Sequence, residues 1–261
     1  MATATAMMPL LSGRAWAAGG GAGVAVVLDA NDPLSREAPV RWAAGYLCDA
    51  LTARGLPAHV CENLAQASAG QECIVATGRT SSLAQAGGML VPDAPEALGF
   101  ARGSIGDRKV LLAVGSDARG LVYALLELVD RVNLGGDPLA ALRGVETVTE
   151  RPANRIRGAM RLFVSETEDK AWYNDRAFWR DYLTMLATHR FNRFNLALGL
   201  GYDGPAGLTD AYFYFAYPFL VTVPGHDVRV ARLPEGEAGA NLEMLQFISN
   251  EAALRGIHFQ L

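Results

Sequence analysis

Arg161, Asn195, Tyr202 and Asp203 stand at the ends of two β-rich runs, Ile156–Val164 and Phe191–Leu198, separated by a helical pattern. Folds that alternate strand and helix into a barrel place their chemistry on the loops after the strands, so these four are candidate substrate-binding residues. For Arg161 and Asn195 the alternative is a polar side chain that satisfies neighbouring backbone inside a barrel layer. Three carboxylates, Glu166, Glu168 and Asp169, follow the first run. Glycosidic hydrolysis needs two carboxyl groups about 5 to 9.5 Å apart, one to protonate the leaving oxygen and one to attack or to activate water. Three acids so close together more often form a solvated loop, and that is the preferred reading of them.

Residues 199–233 form a 35-residue loop in which Tyr202, Tyr212, Phe213, Tyr214, Phe215, Tyr217 and Phe219 crowd together. Their flat apolar faces with polar rims suit a pyranose, so the loop is either a sugar-binding platform or a lid packed on the fold's own edge. Within it, Gly199-Leu-Gly-Tyr-Asp-Gly204 satisfies G-x-G-x-x-G after a strand. Pro205 and Gly207 stand where a helix should cradle a pyrophosphate, which leaves a nucleotide-binding α/β enzyme as a third reading only. His59, His189, His226 and His258 share no ligand spacing, so no metal and no cofactor is expected. His258 reads as a satisfied core histidine before a barrel-lining one.

The elements that must position these groups fall into two blocks. Val24–Leu28 reads as a buried strand, and Val40, Ala44, Leu47 and Leu51 as a helix stopped at Arg54-Gly55. Strands follow at Ala58–Cys61 and Cys73–Thr77, then a hairpin of Ala97–Ile105 and Lys109–Val114 around Gly106-Asp107, then a helix capped by Ser116-Asp117. From Arg155 the rhythm becomes strand, helix, strand, helix, strand, with helices capped by Asp175 and spanning about 235–255, and a last strand at Ile257–Leu261. The expected organisation is a leader or signal remnant over 1–22, an N-terminal α/β accessory domain over 23–146, a linker over 147–154 and a partial barrel over 155–261. The fold class is α/β: a small α+β domain followed by the first three strands of an incomplete (β/α)8 TIM barrel.

A composition of 51% hydrophobic and 19% charged residues over 261 positions is that of a globular chain, and 23 basic against 27 acidic residues leave −4. No nucleic-acid partner is expected from such a balance. The one long uncharged run, Ala211–Gly225, is too short and too proline-interrupted to span a membrane. Cys48, Cys61 and Cys73 form no C-x-x-C pair and read as small core hydrophobes. At the N-terminus, Met7 to Leu11 before Ala15-Trp-Ala17 is either the tail of an export signal or a disordered leader. A complete barrel takes about 250 residues, whereas 110 follow Arg151. The expectation is therefore a truncated barrel with an unpaired third strand.

Arg157-Gly-Ala-Met160 and, one helix later, Arg190-Phe-Asn-Arg-Phe-Asn-Leu-Ala-Leu198 resemble the first two barrel strands of family 20 glycoside hydrolases, the β-N-acetylhexosaminidases. Gly115 to Leu128 resembles the helix that ends the N-terminal α/β domain of those enzymes and of family 67 α-glucuronidases. The resemblance implies a glycosidase with a carbohydrate substrate, in which Arg157 holds sugar hydroxyls and the acidic pair follows a fourth strand that this chain does not reach. The second strand departs from the pattern, with Leu200-Gly201 where hexosaminidases carry two aspartates. The alternative function is a non-catalytic carbohydrate-binding or interaction module. The sequence leaves the sugar, the linkage, the stereochemical outcome and the oligomeric state open.

Overall fold

The computed structural model describes residues 23–163, 166–198 and 234–261. The leader over 1–22, the aromatic loop with its glycine motif, His226, and the candidates Tyr202 and Asp203 lie outside these residues.

The first sheet has six strands in the order β2-β1-β3-β5-β4-β6. Here β1 is Val24–Leu28, β2 Ala58–Cys61, β3 Glu72–Gly78, β4 Leu98–Ile105, β5 Arg108–Gly115 and β6 Val148–Glu150. The first, second, third and fifth strands run parallel, whereas β4 is antiparallel to β5 and to β6. β1, at the inside of the sheet, is buried at all five positions, the near-continuous apolar run that a sheet covered on both faces requires. Its even residues Val24 and Val26, with Ile74, Phe100 and Leu111, pack under α1 (Ala38–Ala53) and α3 (Ala118–Leu134). The odd residues Ala25 and Val27, with Cys73, Val75 and Leu112, face a second cluster closed by α2 (Ser82–Ala86), Met89 and Val91. β4 and β5 pair Ile105 with Arg108, leaving Gly106 and Asp107 as a two-residue turn in which Gly106 has φ +58°, the positive φ of a primed hairpin turn.

The second sheet is β7-β8-β9, all parallel. β7 is Gly158–Phe163, β8 Arg193–Leu198 and β9 His258–Gln260. One face is covered by α6 (Arg176–Thr188) and α7 (Glu237–Leu254), which rest against α3 and α1 respectively. The layers thus run sheet, helices, helices, sheet, and the apolar core is continuous from Val26 through Leu125 to Trp179 and Phe194. The fold is mixed α/β, with a mostly parallel six-stranded sheet and a small parallel one. Among the described residues the second sheet does not close into a barrel.

Several expectations need correction. Residues 147–154 are not simply a linker, because Val148–Glu150 pairs with β4 as the sixth strand. The acids after β7 do not lie in a loop: Glu166–Tyr173 is a helix, α5, and α4 (Pro138–Arg143) is a further short one. Within α5, Asp169 accepts a hydrogen bond from Trp172 Nε1 at 2.7 Å. His258 is exposed and not a core histidine. The three cysteines are free and buried as expected, and burial, then Asp49 and Cys61, push the Cys48 thiol up to about 12.

Gly120 sets how closely α3 approaches the turn before β4. A Cβ there would lie 2.2 Å from the carbonyl oxygen of Ala97, inside any tolerable contact with rigid backbone. Gly120→Ala is expected to cost about 1–3 kcal/mol or more through this overpacking. Urea denaturation measures it, and an unchanged midpoint would refute the close approach.

Candidate functional site

The densest polar cluster joins the two sheets, and it is built around Glu96, a residue that sequence periodicity does not mark. Glu96 ends the turn leading into β4 in a left-handed conformation, φ 60°, which is uncommon for a residue with a side chain. Its backbone N–H donates to Asp117 Oδ2 at 2.8 Å, while Asp117 Oδ1 caps α3 by accepting from Gly120 N at 2.8 Å. The glutamate side chain is 5% exposed. Its Oε1 accepts from Arg119 Nη1 at 3.0 Å and from Asn192 Nδ2 at 2.8 Å, and its Oε2 accepts from Arg157 Nη2. One carboxylate therefore ties the start of α3 to the residues that precede β7 and β8.

Burial pushes the Glu96 carboxyl up, but hydrogen bonds from Arg157, Asn192 and Arg119 together outweigh it and hold the group below the usual carboxylate range. Tyr123, whose hydroxyl accepts from Arg157 Nη2 at 3.3 Å, moves the other way, raised to about 12 by burial and then by the Glu96 charge. Behind Arg157 stands a second joint. Arg190 is also left-handed, φ 61°, and its carbonyl accepts from Arg157 Nε at 2.6 Å. The Arg190 guanidinium pairs with Glu150 at 2.6 Å and Glu127 at 3.2 Å.

The residues singled out from the sequence do not converge. Arg157 lies just before β7, at the opposite end of the strand from the loops that follow it, and its guanidinium binds Glu96, the Arg190 and Asn154 carbonyls and Tyr123. Arg161 lies on the helix-covered face, its guanidinium carbon 4.0 Å from the centre of the Trp172 ring, 4.9 Å from Phe178 and 5.8 Å from Tyr182. Its Nε is buried without a hydrogen-bond partner among the described residues, and the three ring faces give the cation favourable cation–π contact. Asn195 points the other way, since Phe194 and Leu196 on either side of it are buried in the helix-side core. On that open face Asn195 aligns with Met160 of β7 and Gln260 of β9, and its Oδ1 is buried with no hydrogen-bond partner.

Sequence reasoning missed Glu96, Arg119 and Asn192. Arg119 and Gly120 were visible inside Ser116-Asp-Ala-Arg-Gly120, where a cap, a cation and a glycine follow one another. Their partner, 23 residues from Arg119 and 96 from Asn192, was not.

Because its carboxyl is held low in the folded state, Glu96 contributes stability that is present above the unfolded glutamate value, about 4.3, and is lost as pH falls through the folded value. Glu96→Gln is expected to cost about 3 kcal/mol at pH 7, as removal of one member of a buried pair does. The gap between wild type and variant should narrow as pH falls below about 4. Denaturant melts at several pH values check this, and a gap independent of pH would contradict the assignment.

No protein-family model matches the chain, and no curated protein matches it. Solved structures do. A GH138 enzyme targeting pectin rhamnogalacturonan II matches with a TM-score of 0.58 at 19% identity, over 92% of this chain and 24% of that one. CpGH84D matches with a TM-score of 0.50 at 9% identity, over 91% of this chain and 33% of that one. A GH20 exo-β-N-acetylglucosaminidase from Vibrio harveyi matches with a TM-score of 0.43 at 13% identity, over 91% of this chain and 32% of that one. The likeness to the first two is one of fold, and the chain spans about a quarter to a third of their length.

Proposed function

We propose that this chain is part of a carbohydrate-active enzyme that hydrolyses glycosidic bonds, pairing an α/β accessory unit with the opening strands of a β/α barrel. The observation that carries this reading is the second sheet, which is parallel and, among the described residues, covered by helices on one side only, with a buried carboxamide oxygen of Asn195 that has no hydrogen-bond partner on the other side. An unmade hydrogen bond at a buried acceptor is costly, and a donor such as a sugar hydroxyl removes the cost. The fold likeness to a GH138 enzyme supports the same reading.

In this proposal the described residues bind and orient the sugar, with Tyr202 and Asp203, which follow β8 in the sequence, as further binding residues. The described strands end in Phe163, Leu198 and Gln260, none of them a carboxylate. In this proposal the acid and the nucleophile or base are assigned to residues outside those described, Asp169 of α5 being engaged by Trp172 Nε1. The same observation favours a second reading, a module that binds carbohydrate without cleaving it. Release of p-nitrophenol from a panel of p-nitrophenyl glycosides separates the two.

Asn195→Ala tests the site itself. Because Asn195 Oδ1 has no hydrogen-bond partner among the described residues, the variant is expected to keep its melting temperature and to bind oligosaccharides about tenfold more weakly, the worth of one lost hydrogen bond. Titration against the glycans that wild type retains on an array reads this out. Undiminished affinity would remove Asn195 from the site.

A further inference from the structure

Where the first sheet's β5 feeds α3, and where the chain approaches β7, a cavity of about 370 Å³ opens between the two units. Its polar lining is Glu96, Arg119, Arg151 and Arg155, and its apolar walls include Pro95 and Pro152. That volume lies within the range of small-ligand pockets. The position also fits one, because open α/β sheets bind ligands beyond the carboxyl ends of their parallel strands.

The charge in this cleft does not balance. The whole chain carries −4, yet Arg119, Arg151, Arg155 and the adjacent Arg157 gather about a single carboxylate, Glu96. Arg119 and Arg157 both pair with it. Arg151 and Arg155 pair with no carboxylate among the described residues. Like charges brought together in a concave site destabilise the fold unless a counter-charge enters, and low-dielectric walls focus the field that draws it in.

The two unpaired arginines also stand on braced backbone. The Asn154 carbonyl accepts from Arg157 Nη1 at 2.7 Å, and the Arg155 carbonyl accepts from Asn192 Nδ2 at 2.7 Å. Pro152 fixes one further backbone angle between them. Guanidinium forks presented from a fixed segment match the two oxygens of a carboxylate or phosphate.

We propose that this cleft is a binding site for a small oxyanionic ligand, a carboxylate or phosphate borne on a body that packs against Pro95 and Pro152, with Arg151 and Arg155 as its principal anchors. The site stands apart from Asn195 and does not depend on the glycosidase reading.

Isothermal titration with glucuronate, inorganic phosphate and uncharged glucose tests it. Glucuronate or phosphate should bind and glucose should not, and binding should weaken as salt rises from low to physiological concentration. Preference for glucuronate over phosphate identifies a carboxylated sugar as the source, and the reverse identifies a phosphate. Arg151→Gln with Arg155→Gln should weaken binding at least roughly tenfold, since each charge-assisted contact is among the stronger kinds. Both side chains are exposed, so the melting temperature of this double variant should not move. Should it fall, each single variant is titrated in its place. Equal binding of glucose, no binding of either anion, or affinity unchanged in the variants would overturn the proposal.

Discussion

The buried carboxylate of Glu96 is the constraint on which the relation between the two sheets rests. An ionised group 5% exposed is tolerated only where its oxygens are fully engaged. Here the engagement comes from three separate places, Arg119 at the start of α3, Arg157 before β7 and Asn192 before β8. The two non-glycine residues with positive φ among those described, Glu96 and Arg190, both hydrogen-bond Arg157. A strained backbone residue costs about 1–3 kcal/mol and persists where its surroundings over-determine it. Replacing buried ion pairs by apolar contacts is often neutral in energy, so what this cluster supplies is chiefly orientation: it fixes which ends of the two sheets meet.

That orientation decides where a ligand has room. In a parallel sheet the natural crevice lies where the chain order reverses, here between β1 and β3, whose neighbours lead off in opposite directions. The crevice is filled. The turn at Pro33–Arg36 folds over it, a Cβ on Gly78 would meet Leu34 at 2.9 Å, and Asp32 accepts from Thr77 Oγ1 at 2.8 Å. With that position closed by the chain's own residues, the concave space beyond the carboxyl ends lies further along, where β5, α3 and the approach to β7 meet.

Much of the fold was legible because it obeys local periodicity. The buried run Val24–Leu28, the 3.6-residue spacing of Leu121, Leu125, Leu128 and Val132, and the Asp117 and Asp175 caps each announce their element over a short window. What escaped was non-local or too short. α5 has eight residues and a mostly polar composition, so its acids resembled a loop. The sixth strand has three residues and is recognisable only through its partner β4. For the site, Arg157 stands out through the family resemblance, as an arginine that would hold sugar hydroxyls, whereas its carboxylate partner Glu96 is 61 residues away. No spacing rule reaches that far.

Among the described residues the second sheet is covered by helices on one face only, and its two sides differ in kind. On the helix side Phe163 meets Tyr173 edge-on, Phe194 meets Trp179 at a tilt and Tyr182 edge-on, and Phe194 stacks on Phe259 at 5.9 Å. Such pairs each contribute about 0.5–1.5 kcal/mol beyond the burial of their area. On the open side Met160 is 59% and Leu162 37% exposed, whereas the strands beyond carry Asn195, His258 and Gln260. Parallel sheets seldom leave a face bare. This face changes from apolar at β7 to hydrogen-bonding at β8 and β9. Whatever covers it must therefore offer apolar surface beside β7 and polar groups beside β8 and β9.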